Sequence, residues 1–170
     1  MAITMHTASV PAFAHMLANL TVWLDKAQAH AQTKKFDPAI YLEVRLAPDM
    51  LPFKAQVQIA CDTAKFAVAR LAGVDAPKFE DTESSLVELQ QRVRATVEFI
   101  RSVPASRFDG SEVRDVVIPR RHDSLTVKGQ AYLEHFALPN FYFHATTAYA
   151  LLRHSGVELG KSDFLGGVPQ

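Results

Sequence analysis

LPNFYFHATTAYALLRHSGVELGKSDFLG, residues 138–166, decides between two classes of fold. Its end, GVELGKS, resembles a phosphate-binding loop, which would require a strand before it and a long helix after it. That loop reads G-x-x-x-x-G-K-S/T, and the position five residues before Gly160 holds Ser155, not glycine. The preceding residues are also helical in pattern, with Phe141, Ala145, Ala148 and Leu152 on one face. Pro139 suits the start of that helix and Gly156 its end. The stretch is therefore expected to be a core helix followed by a glycine-capped tail.

Working outward, Val10, Phe13, Leu17, Leu20, Leu24 and Ala27 advance by threes and fours, which predicts a first helix from about Ser9 to Gln32. Thr7 or Ser9 would cap it, with Pro11 in the first turn. A connection with Pro38, Pro48 and Pro52 follows and has room for a short helical turn. Phe53, Val57, Ala60, Ala64, Ala67 and Leu71 make a second helix that ends at Gly73. Its other side carries a further stripe, Ala55, Ile59, Asp62, Phe66 and Ala69, as if it were covered twice. Asp81, Thr82 and the Ser85–Glu88 capping box announce a third helix with Leu86, Leu89, Val93, Val97 and Ile100 inward. Val116–Ile118 and Leu125–Val127 flank a polar turn and predict a hairpin or extended insert. Arg114, Arg120, Arg121 and Lys128 near it are expected to form a solvated face. The expected fold is all-α: residues 1–170 as one domain, a four-helix bundle with a small insert between helices three and four.

The bulk composition excludes several functions. Eighteen basic residues balance eighteen acidic ones without a charged block, which argues against a nucleic-acid partner. No segment reaches the roughly 20 uninterrupted apolar residues of a membrane span. The single cysteine, Cys61, and an amino terminus without a basic region and apolar run fit a cytoplasmic protein. Cys61 has no adjacent base and is expected to be a packed side chain.

None of the seven histidines has another three or four residues away, the spacing that puts two ligands on one helical face. His144 is the one worth following. On the helical wheel it lies at the edge of the inward face, with Asn140 and Thr147 a turn to either side, a polar strip beside the core. Asp62, a carboxylate among Ala55, Ile59 and Phe66, sits at an interface rim or pairs across it with Lys65 or Arg70.

Three blocks carry a resemblance: RLAPDMLPFKAQVQIACDTAKFAVARLAG (residues 45–73), FDGSEV (108–113) and FALPNFYFHATTAYALLRHSGVELGKSDFLG (136–166). They resemble the DUF1993 family, which belongs with the DinB/YfiT-like helical proteins, a superfamily of metalloenzymes. The resemblance implies a four-helix bundle and a homodimer packed through helices. It also implies ancestry among thiol transferases and hydrolases whose metal is held by one histidine of the second helix and a His-x-x-x-His pair on the fourth. Here Gln56, Gln58 and Ile59 stand around the first position, and Ala148 follows His144 by four, so only His144 matches. The expectation is a homodimeric binding or structural module with a degenerate or absent metal site. Its pocket would be drawn from His144, Asn140, Thr147, Asp62 and Gln58, and its dimer contact from Ala55, Ile59, Asp62 and Phe66. The rival is a metal-dependent enzyme in which His144, with Asp62, Gln58 or His135, holds zinc, nickel or iron.

Overall fold

The structure, a computed structural model, describes residues 3–120 and 122–167; Arg121 lies outside them. The chain is mostly helical with one two-stranded antiparallel hairpin. The helices are α1 (Met5–Lys34), α2 (Phe53–Ala72), α3 (Leu86–Ser102), α4 (Gly129–Tyr132), α5 (Leu138–His154) and α6 (Lys161–Leu165), and the strands are β1 (Asp115–Pro119) and β2 (Ser124–Lys128). A 3₁₀ turn, Pro38–Glu43, lies in the first connection. No helix among the described residues is long and apolar enough to cross a membrane.

The inward stripes form the core. Phe13, Leu17, Leu24 and Ala27 of α1 and Val57, Ala60, Ala64, Ala67 and Leu71 of α2 have no exposed surface, and Leu89, Ile100, Phe141 and Ala148 join them. The largest contacts between helices are α2 with α5 and α3, and α1 with α3 and α5. Helix α2 is thus flanked on both sides by its own chain. Its second stripe is accordingly mixed: Ala69 is buried, Ala55, Ile59 and Asp62 are half-buried, and Phe66 is exposed.

Helix α1 starts four residues before the expected point. Thr4 and Thr7 cap each other: the Thr7 hydroxyl accepts the Thr4 N–H at 2.8 Å and the Thr4 hydroxyl accepts the Thr7 N–H at 3.2 Å. Ser9 is therefore inside the helix, donating its hydroxyl to the Met5 carbonyl at 2.6 Å, and Pro11 lies past the first turn. Helices α2 and α3 end and start where expected. Gly73 takes the left-handed conformation at φ 63°, and the Ser85 hydroxyl accepts the Glu88 N–H at 3.2 Å. Arg114 departs from the solvated face expected of it. It donates to the Leu71 carbonyl, Arg107 donates to the Gly73 carbonyl at 3.0 Å, and together they supply donors and positive charge to the α2 carboxyl end.

The hairpin pairs Val116 with Val127 and Ile118 with Leu125, which puts the apolar members on one face against the helices. Pro139 sits in the first turn of α5, as expected, but that helix does not begin from a free end. The backbone is helical from Gly129 through α4, a π-helical stretch (Leu133–Ala137) and α5. Proline supplies no N–H and its ring crowds the carbonyl four residues earlier, at His135. The wider π turn just before it lets the helix pass rather than end. After α5, Gly156 turns at φ 91° and the tail returns to α1. There Phe164 stacks on Trp23 at 5.5 Å between centroids, and the Asp163 carbonyl accepts the Trp23 indole N–H at 2.9 Å. GKS is thus the lead into a five-residue helix packed on α1, with Lys161 and Ser162 exposed.

Candidate functional site

The polar residues of α2 sort onto its two flanks by helical azimuth. Gln56, Thr63 and Arg70 recur every seven residues, close to two turns apart, and share the flank facing α5 and the segment before it. Gln58, Asp62 and Lys65 follow the i, i+4, i+7 pattern of the other flank, toward α3.

On the α5 flank the contacts run antiparallel. His144 Nδ1 lies 2.7 Å from Gln56 Oε1, the Asn140 amide donates to the Thr63 hydroxyl at 2.8 Å, and Arg70 donates to the Tyr132 hydroxyl at 3.0 Å. Gln56 is itself held, its amide N–H donating to the Leu51 carbonyl at 2.9 Å. His144 is 9% exposed, and burial pushes its imidazole below the ordinary 6.5. Thr147 turns away from this seam and donates to the Phe143 carbonyl at 2.7 Å. Arg70 lies between the rings of Phe66 and Tyr132, at 5.2 and 5.8 Å, and Tyr132 stacks on Phe136. Phe66, Phe136 and Phe143 are 37%, 40% and 55% exposed, so the seam borders an aromatic surface. It is a strip on a face. The cavity of about 950 Å³ lined by Met5, Phe108, Leu133 and Leu138 lies apart from it.

On the α3 flank lies a cluster of charges. Arg92 of α3 has a side chain only 2% exposed; it donates to Glu83 at 2.9 Å and to Asp62 at 3.0 Å and forms an ion pair with Asp81 at 2.9 Å. Lys65, equally buried, reaches Asp62 at 2.8 Å, and Gln58 donates to Glu83 at 2.7 Å. The Phe79 ring lies 4.4 Å from the Lys65 ammonium and 5.6 Å from the Arg92 guanidinium. Burial pushes the Glu83 carboxyl up, but the hydrogen bonds from Gln58 and Arg92 outweigh it and hold Glu83 below its ordinary 4.5.

The five residues expected to make one pocket are therefore divided. His144 and Asn140 share the α5 seam, Thr147 is beside it but bonded within its own helix, and Asp62 and Gln58 lie on the opposite flank with Arg92 and Glu83. Asp62 pairs with Lys65, while Arg70 takes Tyr132 instead. Cys61 is buried and its thiol is pushed up to about 12 by desolvation, which makes it inert as a nucleophile at neutral pH. Arg92 and Glu83 were not anticipated. The signal was present in Arg92 itself, a charge on the inward stripe of α3 between Leu89 and Thr96.

A metal would need about three protein ligands of imidazole, thiolate or carboxylate type. At His144 the neighbours are an amide and two hydroxyl or amide groups already bonded to one another, and no group of three His, Cys, Asp or Glu side chains suited to a metal occurs among the described residues. The donor set does not fit a metal centre of the three-ligand kind.

A long-helix scaffold with a hairpin insert and a polar seam between α2 and α5 defines a DinB-like helical domain. The chain belongs to the family described as domain of unknown function DUF1993, whose model matches residues 5–165. It is similar to the crystal structure of a DinB family member protein from Shewanella denitrificans, at 42% identity over 97% of this chain and 93% of that one, with a TM-score of 0.91. No curated protein matches it.

Proposed function

We propose that the protein is a homodimeric binding or structural module of the cytoplasm, a four-helix bundle whose ancestral metal site has been replaced by a hydrogen-bonded seam. The observation that carries this is the pairing of His144 with Gln56, an amide in the part of the second helix where the resemblance leads one to expect the first histidine. The exposed rings of Phe66, Phe136 and Phe143 support the binding role, because exposed aromatic side chains are enriched at contact surfaces.

Two measurements test the two halves of this reading. Sedimentation of the purified protein should give a dimer at micromolar concentration, and Phe66→Asp should shift it toward monomer with its helicity unchanged. An aspartate at this position can pair with Lys65 or Arg70 in the monomer, but in a dimer it buries a charge against an apolar partner, and a cost of about 2 kcal/mol weakens association some thirtyfold. A wild-type monomer, or an unchanged mass in the variant, rejects the proposed contact. Elemental analysis of protein purified without a histidine tag should show no stoichiometric metal. Zinc, nickel or iron at one equivalent, lost in His144→Ala, would favour the metal-dependent enzyme instead.

A further inference from the structure

The seam determines which atom of His144 carries the proton. The Leu51 carbonyl can only accept, so the Gln56 NH₂ group must face it, at 2.9 Å. The Gln56 carbonyl oxygen is then the atom facing His144 Nδ1 at 2.7 Å. A carbonyl oxygen can only accept, so Nδ1 bears the hydrogen. In the neutral ring the other nitrogen, Nε2, is left with a lone pair. It takes no hydrogen bond from the described residues and is not among their buried unpartnered atoms, so it reaches solvent. The Phe143 ring packs at right angles to the imidazole, 5.2 Å between centroids, and is itself largely exposed. The cations of α2 are engaged elsewhere: Lys65 with Asp62, Arg70 with Tyr132, and Lys54 with Glu43.

We propose that His144 Nε2 is a hydrogen-bond acceptor for a neutral planar ligand carrying an O–H or N–H donor, and that Gln56 is the positioning residue that gives the site this polarity. The proposal rests on the binding-module reading and names the ligand class for the same face. A lone pair attracts a donor and repels an anion. Phe143 supplies an apolar ring surface next to the imidazole, and among the described residues no cation contacts His144 to hold a carboxylate there. The specificity follows from the Leu51–Gln56–His144 relay and reverses if the relay's sign is changed. In Gln56→Glu a carboxylate faces Nδ1, the imidazolium is favoured, and Nε2 becomes a donor.

Nitrogen-15 NMR of the histidine side chains tests this, with His144 assigned by loss of its signals in His144→Ala. At pH 7.5 the wild type should show Nδ1 protonated and Nε2 bare. Titration with phenol should move the His144 Nε2 signal, with binding about tenfold tighter than benzoate, the worth of one hydrogen bond gained against none. In Gln56→Glu both nitrogens should be protonated and benzoate should bind more tightly than phenol. A proton on Nε2 of the wild type overturns the relay. A bare Nε2 with benzoate preferred, or with neither probe binding, overturns the ligand class. A preference unchanged in Gln56→Glu overturns the role of Gln56. Each of these outcomes is separate from the dimer mass and the metal content, which report on the broader reading.

Discussion

Replacing Arg92 with methionine should lower stability by about 3 kcal/mol, because removing one member of a buried ion cluster leaves the others without a counter-charge. For a chain of this size that is a fall in Tm of roughly 6–12 °C. Methionine keeps much of the bulk, so the loss reports the charge and its hydrogen bonds more than a cavity. Asp62 retains Lys65, and Asp81 is exposed enough to be solvated, so the penalty falls on Glu83, whose side chain is 9% exposed. Glu83 is held below its ordinary 4.5 in the folded protein. Such a depressed carboxyl contributes stability that is fully present above the unfolded value and is lost as pH falls through the folded value. The gap in Tm between wild type and variant should therefore be widest near neutrality and narrow once the pH drops below about 4.5. Thermal melts across that range check it, and a gap that does not change with pH would assign the loss to packing alone. Arg92→Lys should recover only part of the stability, since an ammonium has no planar fork to serve Glu83 and Asp62 together.

The cluster also shows what a single chain of letters reveals and what it conceals. The inward stripes of α1, α2, α3 and α5 are local patterns, set by the 3.6-residue turn, and they were legible; so were the Gly73 and Ser85 caps, whose chemistry lies within four residues. Asp62 with Lys65 was legible for the same reason, an i, i+3 pair. Arg70 was a fair alternative on sequence distance, but it lies on the α5 flank of α2, where Tyr132 offers a hydroxyl. The Thr4–Thr7 box was missed because a threonine takes the place of the usual glutamate or glutamine at its third position. Pro139 suggested a helix start because proline usually marks one. Here a helix already begun at Gly129 passes it in a wider turn. The seam depended on an inter-helix rotation that no local pattern encodes. Gln56 and His144 are 88 residues apart, and only the packing of α2 on α5 determines that they meet while Gln58 does not.

Trp23→Ala should be the most damaging single truncation near the tail, about 4 kcal/mol and a Tm loss of roughly 8–16 °C. Trp23 has no exposed surface. One of its faces stacks on Phe164, Tyr149 meets it edge-on, and its N–H satisfies the Asp163 carbonyl. Alanine removes the ring from between the core and α6, so the cavity it leaves is bounded by an element only five residues long that cannot be helical alone. The remaining ties, Lys26 to Asp163 at 2.6 Å, Asn19 to the Phe164 carbonyl at 2.9 Å and His15 Nε2 to the Leu165 carbonyl at 2.6 Å, are partly exposed and should not hold α6 in place. Limited proteolysis of the variant should then cut within residues 160–167 before the rest of the chain unfolds. Trp23→Phe separates the two contributions. It keeps a stacked ring and loses the indole donor, and should cost about 1–2 kcal/mol, the worth of one hydrogen bond and a slightly smaller ring. If Trp23→Ala melts like wild type, the tail is not seated on α1 as described. The lysine and serine of GKS would then have to be reconsidered as groups free to meet a ligand, which their place at the head of a docked helix now argues against.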